Sequence, residues 1–184
     1  MSALRKALFF PTILYNIVAD SITSRTWYNR IDRHLVLGAI PFRSVLEDLA
    51  PTEKIKGMIS MNEDFELNPR WYPTSSELQQ LGIEFLRLPV SDYTGTPTRE
   101  QILQGLHFID QVIKRDSEAS IYIHCKAGRS RSAYLAAAYL MAKQQKKADE
   151  VISFLKEKRP QIWIGSQQTK SLEEYYEEAV AQPK

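Results

Sequence analysis

Ile121-Tyr122-Ile123-His124-Cys125-Lys126-Ala127-Gly128-Arg129-Ser130-Arg131-Ser132-Ala133 reads as three pieces in succession. Residues 121–123 are a short apolar run of β-branched and aromatic side chains, the pattern of a buried strand. Residues 125–131 are a tight polar loop in which Gly128 can take a backbone conformation closed to other residues. From Ser130 onward, Tyr134-Leu135-Ala136-Ala137-Ala138-Tyr139-Leu140-Met141-Ala142 is a strong helix former that is apolar nearly all round, which predicts a buried helix. The only cysteine of the chain falls where this strand ends.

A strand, loop and helix of this kind suit a doubly charged phosphate. Backbone N–H groups of residues 126–130 (Lys126, Ala127, Gly128, Arg129 and Ser130) point inward as a nest. The helix N-terminus adds unpaired donors and partial positive charge. Arg131 can grip two phosphate oxygens through its planar fork. The same field acts on Cys125, because a thiol at a helix N-terminus beside arginines is held as a nucleophilic thiolate at neutral pH. Ser132 can donate a hydrogen bond to that sulfur and help it leave in a second step. A lone cysteine at the end of a core strand is ordinarily an inert small hydrophobe. Here it is followed by a lysine and two arginines within one loop, a costly set of charges for an inert position unless a phosphate compensates them.

His124-Cys125, five residues, then Arg131-Ser132 resembles the signature loop of the cysteine-dependent phosphatases, the protein-tyrosine and dual-specificity superfamily. The low-mass tyrosine phosphatases carry their loop near the N-terminus, so that branch is disfavoured.

Length and composition bound the rest. The 184 residues suggest one domain with a single good core. Hydrophobic residues at 43% and charged ones at 25% are ordinary for a globular protein. A formal net charge of +2 argues against a nucleic-acid partner. One cysteine excludes an internal disulfide framework. No His, Cys and carboxylate set has ligand spacing, so neither a metal nor another cofactor is expected.

The stretch of residues 1–26 differs in kind. It holds Arg5 and Lys6 before its first acid, Asp20, and its apolar residues recur at helical spacing, interrupted by Pro11. Its apolar part, Ala7 to Ala19, is too short and too broken by Pro11 and Asn16 to span a bilayer comfortably. It reads as a basic amphipathic targeting or membrane-surface segment ahead of a catalytic domain over residues 27–184, the alternative being an ordinary helix docked on the core. Residues 24–33 read as a polar loop or basic surface. Strands are predicted at 34–40, 54–61 and 83–88. Helices are predicted at 44–49, with Ser44 as cap and Glu47 completing a capping box, at 75–81, from Pro97 to about 114, at 148–158 and at 166–181. Strands alternating with helices argue for an α/β fold, a central sheet flanked by helices on both faces.

A phosphocysteine mechanism needs an acid for the leaving oxygen. Asp92, in the loop after the strand at 83–88, is the best candidate, because one helix and one strand return the chain from it to the same sheet edge. The superfamily carries its acid in a corresponding loop, and the resemblance supports this choice. The bland alternative is a turn aspartate capping the following segment.

The run Glu63-Asp64-Phe65-Glu66 follows the strand at 54–61. Blandly it is a solvated loop. It resembles the acidic recognition loop of the mitochondrial lipid-phosphatase branch of the superfamily. Residues 27–32, 37–41 and 159–165 and the loop Cys-Lys-Ala-Gly-Arg-Ser-Arg resemble the same branch, almost the whole chain from Trp27 onward. That resemblance implies a single dual-specificity-phosphatase-like domain acting on an anionic phospholipid at a membrane surface. The headgroup implied is a glycerophosphate, with removal of its terminal phosphate feeding cardiolipin synthesis at the matrix face of the mitochondrial inner membrane. It assigns Cys125 as nucleophile, Arg131 as phosphate clamp, Asp92 as acid and base, His124 and Ser132 as supporting residues, and residues 63–66 as the substrate-selecting run. A monomer is expected. Two rivals remain: a phosphatase of soluble phosphoproteins, and a phosphate-holding module without turnover, which would ordinarily have lost the cysteine, arginine or acid kept here.

Overall fold

Pro11, Ile13, residues 26–92 and residues 95–180 are described by a computed structural model. In chain order the elements are β1 (Tyr28–Arg30), β2 (Leu35–Gly38), α1 (Arg43–Thr52), β3 (Ile55–Ser60), a 3-10 turn (Asp64–Glu66), α2 (Ser75–Gln80), β4 (Glu84–Arg87), α3 (Arg99–Arg115), β5 (Ser120–His124), α4 (Arg131–Gln144), α5 (Ala148–Lys158) and α6 (Ser166–Tyr175). A π-helical turn over Tyr176–Val180 follows α6.

The strands form one five-stranded sheet in the order β1-β2-β5-β3-β4. β1 pairs antiparallel with β2, while β2, β5, β3 and β4 are mutually parallel. Side chains alternate across the strands, and the two faces take different partners. Leu35, Leu37, Ile59, Ile121 and Ile123 pack into a core with α3, α4, α5 and α6. Val36, Met58 and Tyr122 face the other way, onto residues of α1 and α2. The architecture is therefore α/β with helices on both faces. α4 lies wholly inside it: from Arg131 to Met141 every residue is buried, which accounts for a helix with no polar stripe.

Differences from the sequence-based boundaries have local causes. β1 is a strand inside the stretch read as a polar loop, a three-residue edge element whose pattern is half-exposed. α1 begins at Arg43 with no side-chain cap, so Ser44 does not cap it. The Arg43 amide donates instead to the Trp71 carbonyl at 3.2 Å, meeting the need a cap would serve. α3 starts after Thr98, whose hydroxyl accepts from the Gln101 amide, so Pro97 precedes the helix and is not in its first turn. Of residues 1–25 only Pro11 and Ile13 are described. Both are helical, and Ile13 is buried in the core shared with α1 and α2. The remainder of the basic leader lies outside the described residues.

Four parallel strands place four C-terminal ends together. Gly38 and Ser60 both stand opposite His124, and Ser60 also stands opposite Arg87. The segments that leave these ends are residues 39–42, 61–66, 88–98 and 125–130, and the crevice beyond them is where open parallel sheets bind ligands.

Candidate active site

β5 delivers Cys125 to that edge with 3% of its surface exposed. Gly128 turns the loop with φ +63, and a Cβ there would stand 2.3 Å from the Gly38 carbonyl carbon and oxygen. Both the dihedral and the contact exclude a larger residue, so the loop curls tightly over the end of β2. α4 then starts at Arg131, and the Ser132 amide in its first turn reaches the sulfur.

The Ser132 hydroxyl donates to Cys125 Sγ at 3.2 Å. Burial pushes the thiol up, but Arg131, the Ser132 hydroxyl and the backbone amides of Ser132 and Arg129 outweigh it and hold Cys125 below the ordinary thiol range. The thiolate is thus favoured more than in an ordinary cysteine, and an acid limb in the pH dependence of alkylation reports it. Ser132→Ala removes one of the groups that favour the anion, so the limb moves to higher pH. Iodoacetate inactivation followed across pH measures the shift, and an unmoved limb would remove Ser132 from the set that stabilises the sulfur.

His124 is fully buried, its Nε2 lies 3.1 Å from the Tyr72 hydroxyl, and its ring stacks on Tyr122 at 5.8 Å between centroids. Burial, aided by Arg131, lowers its pKa to about 3. The ring is therefore neutral at physiological pH and serves as packing beneath the loop.

Arg131 is 2% exposed and fully engaged on one side. Its Nη1 donates to Glu66 Oε2 at 2.8 Å and to the Val90 carbonyl at 2.9 Å, and its Nη2 donates to Glu66 Oε1 at 3.1 Å. Nη2 also lies 3.1 Å from Asp92 Oδ1. The other Asp92 oxygen pairs with Lys126 Nζ. Asp92 therefore bridges two cations of the phosphate loop, with only 18% of its side chain exposed. The 88–98 loop does return beside the cysteine loop.

The acidic run divides among different tasks. Glu66 is 1% exposed, and its carboxylate also accepts from the Glu63 amide at 2.8 Å, so both oxygens are committed inward. Glu63 reaches the acid loop, accepting from the Ser91 hydroxyl at 3.4 Å and the Asp92 amide at 3.5 Å. Asp64 pairs with Arg87 at the surface, and Phe65 packs against the α1–α2 core. Glu66 thus has no face to offer a headgroup.

Removing one partner of a buried ion pair strands the other charge. Glu66→Gln is expected to lower stability by about 3 kcal/mol. It should reduce turnover of lipid and small aryl phosphates in parallel, since Arg131 is displaced for both. Urea unfolding read beside kinetics on both substrates tests this. Loss confined to the lipid would instead make Glu66 a selector.

Sequence reasoning gave no individual role to Arg159 or Gln168. Arg159, 1% exposed, donates to the carbonyls of Gly128 at 2.8 Å, Ala127 at 3.2 Å and Thr26 at 3.0 Å, and to Asn29 Oδ1 at 2.7 Å. It clamps the phosphate loop from outside. Gln168 Oε1 accepts from the Ser130 hydroxyl at 2.9 Å, and its Nε2 reaches the Gly95 carbonyl at 3.4 Å. Arg129 is turned away from the loop centre, its Nε donating to the Gln161 carbonyl at 2.9 Å. An arginine before a proline and a glutamine in a polar helix start carry no marker of such roles. Among the described residues, no group of three His, Cys, Asp or Glu side chains could hold a metal ion.

A thiolate-favouring cysteine under a nest of amides, a buried arginine fork and a neighbouring carboxylate together define a cysteine-dependent phosphatase site. The family described as "Dual specificity phosphatase, catalytic domain" matches residues 46–178. The chain belongs to this family and is a phosphoric monoester hydrolase. It is 38% identical to the Rattus norvegicus "Phosphatidylglycerophosphatase and protein-tyrosine phosphatase 1" over 98% of this chain and 93% of the relative. The Homo sapiens protein of the same name is 37% identical over 98% and 90%. Among solved structures, that of PTPMT1 in complex with PI(5)P superposes with a TM-score of 0.77 at 36% identity, covering 83% of this chain and 96% of the other.

Proposed function

We propose that this protein hydrolyses phosphatidylglycerophosphate to phosphatidylglycerol through a phosphocysteine intermediate. The observation that carries the mechanism is the arrangement around Cys125, where Ser132 and Arg131 favour the thiolate at the floor of an anion-binding loop. Cys125 Sγ attacks phosphorus, and the phosphorus–oxygen bond to glycerol breaks. Asp92 gives its proton to the departing oxygen. Water then attacks the phosphocysteine, Asp92 takes a proton from it, and inorganic phosphate leaves as the thiolate returns, with Ser132 donating to the sulfur. Arg131 holds phosphate oxygens through both steps, the role in which charge developed by the transition state meets a fixed donor fork.

The Asp92 bridge fits this sequence of events. Its carboxylate lies on Arg131 and Lys126, the two cations that an arriving phosphate dianion would claim. Binding then frees the carboxyl to face the leaving oxygen. The phosphatidylglycerophosphatase activity for which the rat and human relatives are named supports the lipid substrate. Their second activity makes phosphotyrosine the alternative, so the assay must contain both.

The setting proposed is the matrix face of the mitochondrial inner membrane, on the route to cardiolipin. Residues 27–184 act there as a monomeric catalytic domain, with residues 1–26 as a targeting or membrane-surface segment or, as the buried Ile13 favours, a helix docked on the core. No helix among the described residues is long and apolar enough to cross a membrane. Phosphate release from phosphatidylglycerophosphate in vesicles, set against release from a phosphotyrosine peptide, tests the substrate. Higher kcat/KM on the lipid is expected, and the reverse order would assign the site to phosphoproteins. In cells lacking the protein, phosphatidylglycerophosphate should accumulate.

A further inference from the structure

Glu66 is committed to Arg131, Asp64 pairs with Arg87 and Glu63 reaches the acid loop, and a second surface beside these loops is also open to the group that carries the phosphate. A pocket of about 280 Å³ lies between the acid loop and the start of α6, lined by Gly95, Thr96, Trp163, Ser166, Gln167 and Gln168 with Gly165. It adjoins the two loops that frame the catalytic site. The Gln168 side chain bridges Ser130 of the phosphate loop to Gly95 of the acid loop, and the Trp163 amide donates to the Arg129 carbonyl at 2.9 Å.

Trp163 is 60% exposed, and among described large apolar side chains only Leu103 shares that degree of exposure. Its indole is held in place from below, since a Cβ on Gly165 would stand 3.3 Å from the ring. None of the described residues lining the pocket carries a charge. An open aromatic face beside the Gln167 amide and the hydroxyls of Thr96 and Ser166 offers apolar contact to C–H groups and both donors and acceptors to hydroxyls.

We propose that this pocket is the leaving-group subsite and takes a neutral polyol, a glycerol- or inositol-like fragment bearing the scissile phosphate. The C–H face of the polyol lies on Trp163, and its hydroxyls meet Gln167, Ser166 and Thr96. This deepens the lipid-phosphatase reading above and rests on it. An uncharged subsite also separates the two halves of the substrate: the loop holds phosphate by charge, and the pocket chooses what the phosphate is attached to.

The test uses Trp163→Ala in the full chain. KM should rise on the order of tenfold, the usual worth of one specificity contact, both for phosphatidylglycerophosphate in vesicles and for soluble glycerol 3-phosphate. Competitive inhibition by inorganic phosphate, which reads the loop alone, should not move. Trp163→Phe keeps an aromatic face and should restore most of the affinity, while Gly165→Ala, which tilts the indole, should give an intermediate KM. Three results overturn the proposal: unchanged KM for both polyol phosphates, parallel weakening of inorganic phosphate, or a rise for vesicles alone, which would make Trp163 a membrane contact. Failure of the underlying reading looks different. The unmodified protein would then cleave a phosphotyrosine peptide and neither polyol phosphate.

Discussion

Cys125→Ser should abolish phosphate release while leaving substrate binding in place. The loop that stabilises a thiolate cannot ionise an alcohol at neutral pH, because a serine hydroxyl starts far above the range this field can bridge. Arg131, the nest of amides and Ser132 keep their positions, so the phosphate still has its donors. A loss of about 10⁴–10⁶-fold in kcat is expected, the scale on which removal of a nucleophile registers in enzymes whose binding groups survive. Rapid quenching should find phosphoenzyme in the unmodified protein and none in the variant. Calorimetric titration with substrate should still show binding. Appreciable turnover by the serine variant would sink the covalent route, and loss of binding would mean the sulfur helps to shape the loop.

Asp92→Asn should lower kcat by roughly 10²–10⁴-fold, the contribution of a positioned general acid. The size depends on the leaving group. A glycerol oxygen departs poorly without a proton, whereas an aryl oxygen carries its own negative charge well, so the lipid should suffer more than an aryl phosphate. The amide retains one oxygen that can accept from Arg131 or Lys126, and the loop geometry should persist. Equal losses on the two substrates would take the proton-donor role away from Asp92.

The catalytic strand and helix were legible because their signals are local. Ile121 to Ile123 can only be a strand in that setting, and the apolar helix from Tyr134 to Met141 must be buried wherever it lies. Both flank a loop whose residues depend on one another through neighbouring backbone. The division of labour within residues 63–66 is not local. Which carboxylate turns inward is decided by where Arg131 arrives from the far end of the chain, and Glu66, not its equally acidic neighbours, stands beneath it. Similarly, Tyr28–Arg30 is too short and too polar to announce itself. It becomes a strand because β2 offers it an edge. At α1 the local pattern pointed to Ser44, yet a carbonyl from Trp71, distant in sequence, serves the helix end. Arg159 and Gln168 lie beyond reach for the same reason, since their partners are more than thirty residues away.

The grip of Arg159 has a consequence for where the polypeptide can be cut. One guanidinium gathers carbonyls of the phosphate loop together with the Thr26 carbonyl and the Asn29 side chain. The residues just upstream of β1 are thereby part of the scaffold that shapes the anion cradle, although they stand about a hundred positions from it in the chain. A cut ahead of Thr26 would spare every one of these ties, though it would take Ile13 out of the core shared with α1 and α2. A cut only a few residues later would leave a buried arginine short of acceptors and the cradle short of its outer brace, so the few peptide bonds from Thr26 to Asn29 are as much a part of the active site as the loop they hold.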